Sequence, residues 1–238
     1  MQPYYDDGRD IVIWHADCRD ILPTIPPGSV DLVLTDPPYG VMLGSSDSRG
    51  DGHGLAKLGY IGFSDSFDEW IGLVPPVISQ CLRDLCGRAA VFPGKHLTYL
   101  PAPSVCGGIY CPSGTGRNQW GFTNFMPVFF YGVCPTISSG ASHTVLNSNA
   151  TSERNGHPCP KPLEWMRWLV SLASRANDLI LDPFMGSGTT LVAAKQLGRR
   201  AIGIEIEEKY CEIAAKRLSQ EILPLEPPAP EPTQMEMG

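Results

Sequence analysis

The sequence has no long apolar run and no secretion signal. No stretch of the 238 residues is apolar over the length that spans a bilayer, and the first ten residues are polar and acidic. We therefore expect a cytoplasmic protein with no membrane partner. No Cys-x-x-Cys pair occurs among the eight cysteines, which favours reduced, buried thiols and no metal. The alternative is a zinc cluster, and its ligands would come from Cys106, Cys111, Cys134, Cys159, His143 and His157.

Positive charge is also scarce. A formal net charge of −7 does not favour binding to a polyanion. Part of the negative charge is local, because four glutamates and no lysine or arginine follow residue 220. The body of the chain is therefore near −3, and the proline-rich segment 224–238 is expected to be a disordered tail. Binding of nucleic acid would require a local basic patch, and the sequence indicates no strong one.

An α/β pattern begins near the start of the chain. The β-rich runs 11–14 and 30–35 lead to the aspartates Asp17 and Asp36. Acids that follow parallel strands lie at the carboxyl edge of the sheet, where such folds bind ligands. The sequence therefore predicts a ligand site at this edge.

A second α/β part covers 157–223. Its pattern predicts a helix after Pro162, the strand 179–181, a helix 189–197, the strand 201–204 and a last helix ending before Pro224. Short connections between these elements predict an α/β fold with a doubly wound sheet.

The middle of the chain is less regular. Residues 70–85 have helical periodicity that Pro75-Pro76 is expected to interrupt. The runs 88–92, 108–110 and 128–131 are predicted strands, and 44–54 and 138–156 are predicted loops.

A glycine-rich turn joins the strand 179–181 to the helix that follows it. Gly186 and Gly188 let the backbone approach a ligand that a Cβ would exclude. The turn matches neither the phosphate-loop pattern nor the dinucleotide pattern. Asp182, directly before it, suits the cationic methionine portion of S-adenosylmethionine, and Glu205 is placed to accept from ribose hydroxyls. We therefore favour a site for that cofactor over an ordinary strand-to-helix turn.

The tetrapeptide Asp36-Pro37-Pro38-Tyr39 follows the strand that ends at Thr35. An exocyclic amine of a base is a weak nucleophile, because its lone pair is delocalised into the ring. A carboxylate and a backbone carbonyl that accept the amine hydrogens make this lone pair more available. Two prolines stiffen the loop and direct a carbonyl into the site, and the tyrosine ring can stack on a base turned out of a duplex. The tetrapeptide therefore predicts methylation of an amine.

These motifs resemble those of the DNA N6-adenine and N4-cytosine methyltransferases in their circularly permuted (beta) arrangement. The resemblance lies in 14–18 with 36–40, in 157–164, and in 181–189 with 203–210. It implies a Rossmann-like, mostly parallel seven-stranded sheet with a reversed last hairpin that includes 128–131. It also implies DNA as the partner of a prokaryotic or phage enzyme, which could act as a homodimer. The catalytic domain would be 1–223, with target-recognition loops at 41–67 and 138–156.

The resemblance also implies a role for each site residue. Asp36 and the Pro37 carbonyl would bind the target amine, Pro38 would stiffen the loop, and Tyr39 would stack on the base. Residues implied to bind the methionine side of S-adenosylmethionine are Asp182, Phe184, Gly186, Gly188 and Thr189. Glu205 would bind the ribose and Asp17 and Cys18 the adenine, while His157 and Lys161 would close the site.

Alternative functions remain open at this point. Aspartate in the first position of the tetrapeptide favours adenine N6, whereas serine is more typical of enzymes that methylate cytosine N4. Cytosine C5 chemistry would need a nucleophilic Pro-Cys, and Cys159 lies before a helix instead of at a strand end. From another class, the chain could be a catalytically silent module that binds the cofactor or DNA. The presence of both Asp36 and Tyr39 argues against that.

Overall fold

The computed structural model describes residues 2–40, 66–135, 143–153, 156–157 and 159–220. The strands in these parts are β1 (Tyr5–Asp6), β2 (Ile11–His15), β3 (Leu32–Thr35), β4 (Ala89–Val91), β5 (Val105–Tyr110), β6 (Gly116–Asn118), β7 (Gly121–Thr123), β8 (Phe125–Tyr131), β9 (Val145–Asn147), β10 (Leu179–Asp182) and β11 (Arg200–Glu205). The α-helices are α1 (Cys18–Ile21), α2 (Phe67–Gln80), α3 (Leu163–Ala173), α4 (Thr189–Gln196) and α5 (Glu208–Ser219).

One nine-stranded sheet forms the centre of the fold, with the strand order β1-β2-β11-β10-β3-β4-β8-β5-β9. The run from β2 to β4 is parallel, and β8 is antiparallel to both β4 and β5. Among the central seven strands, from β2 to β5, only β8 is therefore reversed. This confirms the predicted mostly parallel sheet and its reversed hairpin. The short strands β1 and β9 extend it beyond the seven that were expected.

Helices cover both faces of the sheet, which confirms the doubly wound fold. Successive strand residues point to opposite faces, so Leu32 and Leu34 enter one core while Val33 enters the other. The first core contains residues of α3, α4 and α5, and the second contains residues of α1 and α2. Burial of apolar side chains on both faces fixes the register of each strand.

The strand order brings together two motifs that are far apart in sequence. Strands β3 and β10 are direct neighbours and run parallel, so their carboxyl ends lie at the same edge. The Thr35 hydroxyl at the end of β3 donates to Asp182 Oδ1 at the end of β10 over 2.7 Å, across 147 residues of sequence. The tetrapeptide 36–39 and the glycine-rich turn therefore begin side by side.

The predicted interruption of a helix at Pro75-Pro76 is wrong. Helix α2 runs through both prolines, and its geometry changes only at the π-helical turn Cys81–Leu85. A proline within a helix removes one backbone hydrogen bond. The buried face of Trp70, Val74, Val77 and Ile78 supplies packing that offsets this loss.

The predicted loop 138–156 contains a strand. Its residues 145–147 form β9, which pairs in parallel with β5. Gly107 permits this pairing, because a Cβ there would lie 2.1 Å from the Thr144 carbonyl oxygen. Three paired residues are too few to give a periodic signal in the sequence. Most of the other predicted loop, 41–67, and the predicted tail 224–238 lie outside the described residues.

Candidate active site

A cavity of about 520 Å³ opens at the carboxyl edge of β10, β3 and β11. Thirteen of the fourteen site residues predicted from the sequence line it: Asp17, Cys18, Asp36, Pro37, Pro38, Tyr39, His157, Lys161, Asp182, Phe184, Gly186, Thr189 and Glu205. The three motifs of the sequence therefore meet in one cavity.

The Asp36 carboxylate forms the centre of one half of the cavity. Its Oδ1 accepts from the Tyr39 hydroxyl, and its Oδ2 lies 2.5 Å from Lys161 Nζ. The ammonium of Lys161 also donates to the Tyr39 oxygen over 2.9 Å and lies 5.3 Å from the centre of the Phe92 ring. Lys161 is 9% exposed, against 21% for Asp36, so this cation is partly desolvated and its attraction to the carboxylate is stronger than at a surface.

Two glycines shape the loop that carries the tetrapeptide. Gly40 has a φ of +62°, and a Cβ there would lie 2.9 Å from Cβ of the buried Trp70. Gly94 has a φ of +61°, and a Cβ there would lie 2.5 Å from Cδ1 of Tyr39. Both positions require glycine, because the backbone is left-handed and a side chain would clash. The loop is thereby packed closely against its neighbours.

Asp182 ties the glycine-rich turn to the rest of the sheet. Its side chain is 2% exposed and accepts from the hydroxyls of Thr35 and Thr190 and from the Phe184 N–H. Burial raises the pKa of Asp182 to about 6, and the three hydrogen bonds limit this rise. Its carboxylate therefore holds the turn in place and also leaves negative charge beside the cavity.

Glu205, at the end of β11, lies on the other side of the turn. Oε2 accepts from the Gly186 N–H over 2.9 Å, and Oε1 accepts from the Glu207 N–H over 2.8 Å. Burial raises the pKa of Glu205 to about 7. Each carboxylate oxygen can accept more than one hydrogen bond, so this side chain retains capacity for hydroxyl donors of a ligand.

His157 forms a wall of the cavity beside the turn. Its ring lies 4.6 Å from that of Tyr210 in an edge contact, and a Cβ on Gly186 would lie 2.9 Å from its Nε2. Burial lowers the pKa of His157 to about 4. The imidazole is therefore neutral at physiological pH and adds no positive charge to the cavity.

Gly188, which was predicted to contact the cofactor, is placed differently from the other predicted site residues. It does not line the cavity; its φ is +76°, and a Cβ there would lie 2.7 Å from Cβ of Ala214 on α5. The glycine instead begins α4 and lets α5 pack closely against the turn. Its conformation shapes the cavity only indirectly.

Asp17 and Cys18 form the far end of the cavity, where β2 leads into α1. The Asp17 side chain caps α1 by accepting from the Arg19 N–H over 2.9 Å. The hydrogen bond from the Arg19 side chain holds the pKa of Asp17 below its usual value. Burial raises the pKa of Cys18 to about 12, so its thiol is inert and contributes only apolar surface.

Sequence reasoning missed several residues of the site. Thr35 and Thr190 hold Asp182, and Arg217 on α5 donates to the Ser187 carbonyl over 2.7 Å. Asp68 and Glu69, in the first turn of α2, also line the cavity. A threonine that ends a strand beside an acid was a usable signal for Thr35. Nothing local in sequence connects Arg217 or α2 with the site.

The described residues contain no helix of sufficient length and apolarity to cross a membrane. Within the same parts of the chain, no group of three or more His, Cys, Asp or Glu side chains could hold a metal ion.

The lining of the cavity fits S-adenosylmethionine. Two buried carboxylates, Asp182 and Glu205, place negative charge beside the glycine-rich turn, where a cationic ligand is favoured. Glu205 would hold the ribose, and the apolar surface of Phe184 and Cys18 would contact the flat adenine. The narrow space between Gly186 and His157 requires the absence of a side chain on the turn.

Known proteins are similar to this chain in sequence. A family model described as DNA methylase, which covers N6 and N4 enzymes, matches residues 117–216. Type II methyltransferase M.ScaI of Streptomyces caespitosus is 39% identical over 282 aligned positions, which cover 92% of this chain and 84% of that protein. Type II methyltransferase M2.DpnII of Streptococcus pneumoniae is 29% identical over 252 positions, which cover 92% and 93%.

The fold is also similar to solved structures. The crystal structure of the M1.HpyAVI-SAM complex superposes with a TM-score of 0.64 at 23% identity, over 88% of this chain and all of that one. The sequence relatives extend over nearly the whole chain, and the motifs that carry the resemblance line one cavity. The chain therefore belongs to the DNA methylase family of N6 and N4 methyltransferases and is an S-adenosylmethionine-dependent DNA methyltransferase.

Proposed function

We propose that this enzyme methylates the exocyclic N6 amine of adenine in DNA, with Asp36 as the residue that binds the amine. One observation carries the proposal. The first residue of the tetrapeptide is an aspartate whose carboxylate lines the cavity at the end of β3, beside the turn that would hold the cofactor. A carboxylate accepts an amine hydrogen as a charged acceptor, which is stronger than the neutral hydroxyl of a serine.

The residues of the tetrapeptide have separate roles in the proposed reaction. When bound, S-adenosylmethionine supplies a methyl group on a positively charged sulfur. Asp36 accepts one hydrogen of the amine and the Pro37 carbonyl accepts the other, which orients the nitrogen lone pair towards the cofactor side of the cavity. Transfer of the methyl group to the nitrogen would break its bond to the sulfur and leave the cofactor as a neutral thioether. One proton would leave the nitrogen, and Asp36 is the acceptor already hydrogen-bonded to it.

We expect entry of the base to change the hydrogen bonds of Asp36, because the Tyr39 ring must turn to stack on the base. Both of its oxygens have partners within the protein, the Tyr39 hydroxyl and the Lys161 ammonium. The target amine replaces the Tyr39 hydroxyl on Oδ1, and the freed ring stacks on the base. Lys161 remains on Oδ2 and keeps the carboxylate oriented.

The proposal also assigns roles to segments outside the motifs. Residues 41–67 and 138–156 contribute target recognition within a catalytic domain of 1–223, followed by the tail 224–238. A homodimer and a cytoplasmic location also remain predictions.

The test identifies the methylated nucleoside. Native and heat-denatured DNA of mixed sequence is incubated with the enzyme and isotope-labelled cofactor, then digested to nucleosides for mass spectrometry. We expect N6-methyladenine from the wild type. For Asp36→Ala we expect the rate to fall at least about a hundredfold while cofactor binding, measured by calorimetry, is unchanged.

Two other outcomes contradict parts of the proposal. N4-methylcytosine as the product would show that the base assignment is wrong and the amine chemistry correct. An Asp36→Ala variant with wild-type rates would remove Asp36 from the reaction.

A further inference from the structure

The hairpin of β6 and β7 exposes more aromatic surface than any other described part of the chain. Trp120 is 97% exposed and Phe122 is 75% exposed. Asn118 pairs with Gly121, so Trp120 lies in the two-residue turn at the tip, and Phe122 follows on β7. Two large rings this exposed on one short hairpin indicate a surface that contacts a partner.

The hairpin lies at the same edge of the sheet as the active site. β5 runs parallel to β3 and β4, so its carboxyl end, Tyr110, points to the edge where Asp36 follows β3. The hairpin occupies the connection between Tyr110 and Phe125, which pair across β5 and β8. Two strands separate β3 from β5, which places the base of the hairpin about 14 Å along the sheet from the catalytic loop. DNA whose base enters the cavity must pass over this edge.

Backbone hydrogen bonds hold the base of the hairpin to the sheet. Thr115 N–H donates to the Thr123 carbonyl over 2.6 Å, and Cys111 N–H donates to the Asn124 carbonyl over 2.7 Å. The Ser113 N–H donates to Asn149 Oδ1 over 3.0 Å. A fixed aromatic surface loses less conformational entropy when it binds than a flexible one.

The charge of the surrounding sequence suits a polyanion. Between Asp84 and Glu153 the chain has no aspartate or glutamate, although the whole protein has a net charge of −7. The same segment contains Arg88, Lys95 and Arg117. It includes β4, β5 and β8, so the half of the sheet that carries the hairpin lacks the acids that would repel phosphates.

We propose that Trp120 and Phe122 form a stacking surface for unpaired bases of the DNA strand beside the target base. Aromatic rings next to a path of low negative charge are the chemistry that binds single-stranded nucleic acid, since every base has a face on which a ring can stack. The enzyme therefore binds single-stranded or locally opened DNA more tightly than closed duplex, whose bases already stack on one another. The inference rests on DNA as the substrate and does not depend on which base is methylated.

The test uses the full chain and an oligonucleotide of thirty thymidines. This probe contains neither adenine nor cytosine, so its binding does not depend on the amine chemistry of the cavity. The affinity is measured by anisotropy of a dye on the oligonucleotide. We expect Trp120→Ala and Phe122→Ala each to weaken binding about tenfold. On heat-denatured DNA the KM should rise by a similar factor with kcat unchanged.

A matched control distinguishes loss of base stacking from the general effect of removing an exposed apolar side chain. Val133 is an 82% exposed apolar residue beyond the end of β8, at the opposite edge of the sheet, and Val133→Ala should bind the probe like the wild type. Cofactor affinity and melting temperature should be unchanged in all three variants, which shows that the fold is intact.

Two results would overturn the inference. One is an unchanged affinity for the thymidine probe when Trp120 and Phe122 are both replaced by alanine. The other is a wild-type dimer in sedimentation that Trp120→Ala converts to a monomer with the probe affinity intact, because the rings would then be a subunit contact. If methyl transfer fails while probe binding behaves as expected, the stacking surface stands and the proposed reaction does not.

Discussion

At the scale of single residues, the buried carboxylates Asp182 and Glu205 explain how the site favours a cation. No lysine or arginine in the described parts of the chain forms an ion pair with either side chain. Burial raises the pKa of Asp182 to about 6 and that of Glu205 to about 7. Both carboxylates are therefore ionised less readily than in water, and a positively charged ligand would favour their charged forms. The two buried carboxylates therefore lower the stability of the ligand-free enzyme and favour binding of the cationic cofactor.

Replacing Glu205 tests this directly. Because its folded pKa is above the value of 4.5 in the unfolded chain, the native state binds more protons, and Glu205 lowers stability as the pH rises from about 4.5 to 7. Without ligand, the stability of Glu205→Gln relative to that of the wild type should therefore rise by about 3 kcal/mol between pH 4.5 and 7. Chemical denaturation at several pH values measures the difference.

The pKa of His157 is shifted in the opposite direction, but this shift does not affect the comparison of the two proteins. Burial lowers the pKa of His157 to about 4, so His157 contributes stability that is lost as the pH falls from about 6.5 to 4, equally in both proteins. Glu205→Gln should also weaken cofactor binding about tenfold or more. The exposed Glu164→Gln is the control, and a parallel pH dependence of Glu205→Gln and wild type would refute the role of Glu205.

A second prediction at this scale concerns Tyr39. Tyr39→Phe removes the hydroxyl that donates to Asp36 and keeps the ring, so we expect kcat/KM to stay within about fivefold of the wild type. Tyr39→Ala also removes the ring and should raise the KM for DNA by tenfold or more. Steady-state kinetics on denatured DNA distinguish the two. Equal losses in both variants would mean that the hydroxyl, and not stacking, matters.

The residues whose chemistry is local were predictable from the sequence. Asp36 and Asp182 each end a recognisable strand, and a turn with Gly186 needs close backbone approach. Lys161 was predicted to close the site, but its ion pair with Asp36 spans 125 residues of sequence. Gly188 was predicted to contact the cofactor. From the sequence alone, a glycine in a turn can allow close approach of either a ligand or a neighbouring helix. The structure shows the close approach of the helix, at Ala214, and the ligand contact stays a prediction.

At the scale of elements, helix α5 supports the glycine-rich turn through one arginine. Arg217 Nη1 donates to the Ser187 carbonyl over 2.7 Å and to Thr189 Oγ1 over 3.2 Å. Its Nη2 lies 3.0 Å from Glu153. These contacts join α5, the turn before α4 and the segment after β9.

We expect Arg217→Met to loosen the turn. The variant keeps an unbranched side chain and loses the donors, so cofactor Kd should rise about five- to tenfold with little change in kcat at saturating cofactor. Calorimetry and initial rates measure the two effects. The neighbouring Lys216→Met breaks only an exposed ion pair with Glu212 and should be neutral. Equal Kd values for both variants would contradict the support role.

Elements were predictable where the apolar pattern was long enough. The helices after Pro162 and Gly188 and the strands around Asp36 and Glu205 follow from their periodicity. Helix α2 was not fully predictable, because its continuation through Pro75 depends on tertiary packing of Trp70 and Val74. Strand β9 forms by pairing with residues about 37 positions earlier, and the local sequence has no pattern that indicates this pairing.

At the scale of the whole molecule, the negative net charge limits the electrostatic share of DNA binding. Few cations lie in the acid-free half of the sheet, and Arg88 is 3.9 Å from Asp178. We therefore expect the logarithm of the association constant to fall with the logarithm of salt concentration with a slope no steeper than about −3. Titrations of duplex and single-stranded DNA at several salt concentrations measure it. A slope steeper than about −5 would mean that phosphate contacts dominate and stacking does not.

The order of the strands has a consequence for how the chain is made. β10 and β11 insert between β2 and β3, although about 140 residues separate β3 from β10. On the ribosome, β2 and β3 therefore emerge long before the two strands that must fill the gap between them. Pairings with such long sequence separation form slowly, and the cavity does not exist until β11 has joined the sheet. A nascent chain that has emerged only to residue 178 has no methyltransferase site, so premature termination yields no partly active enzyme that could modify DNA.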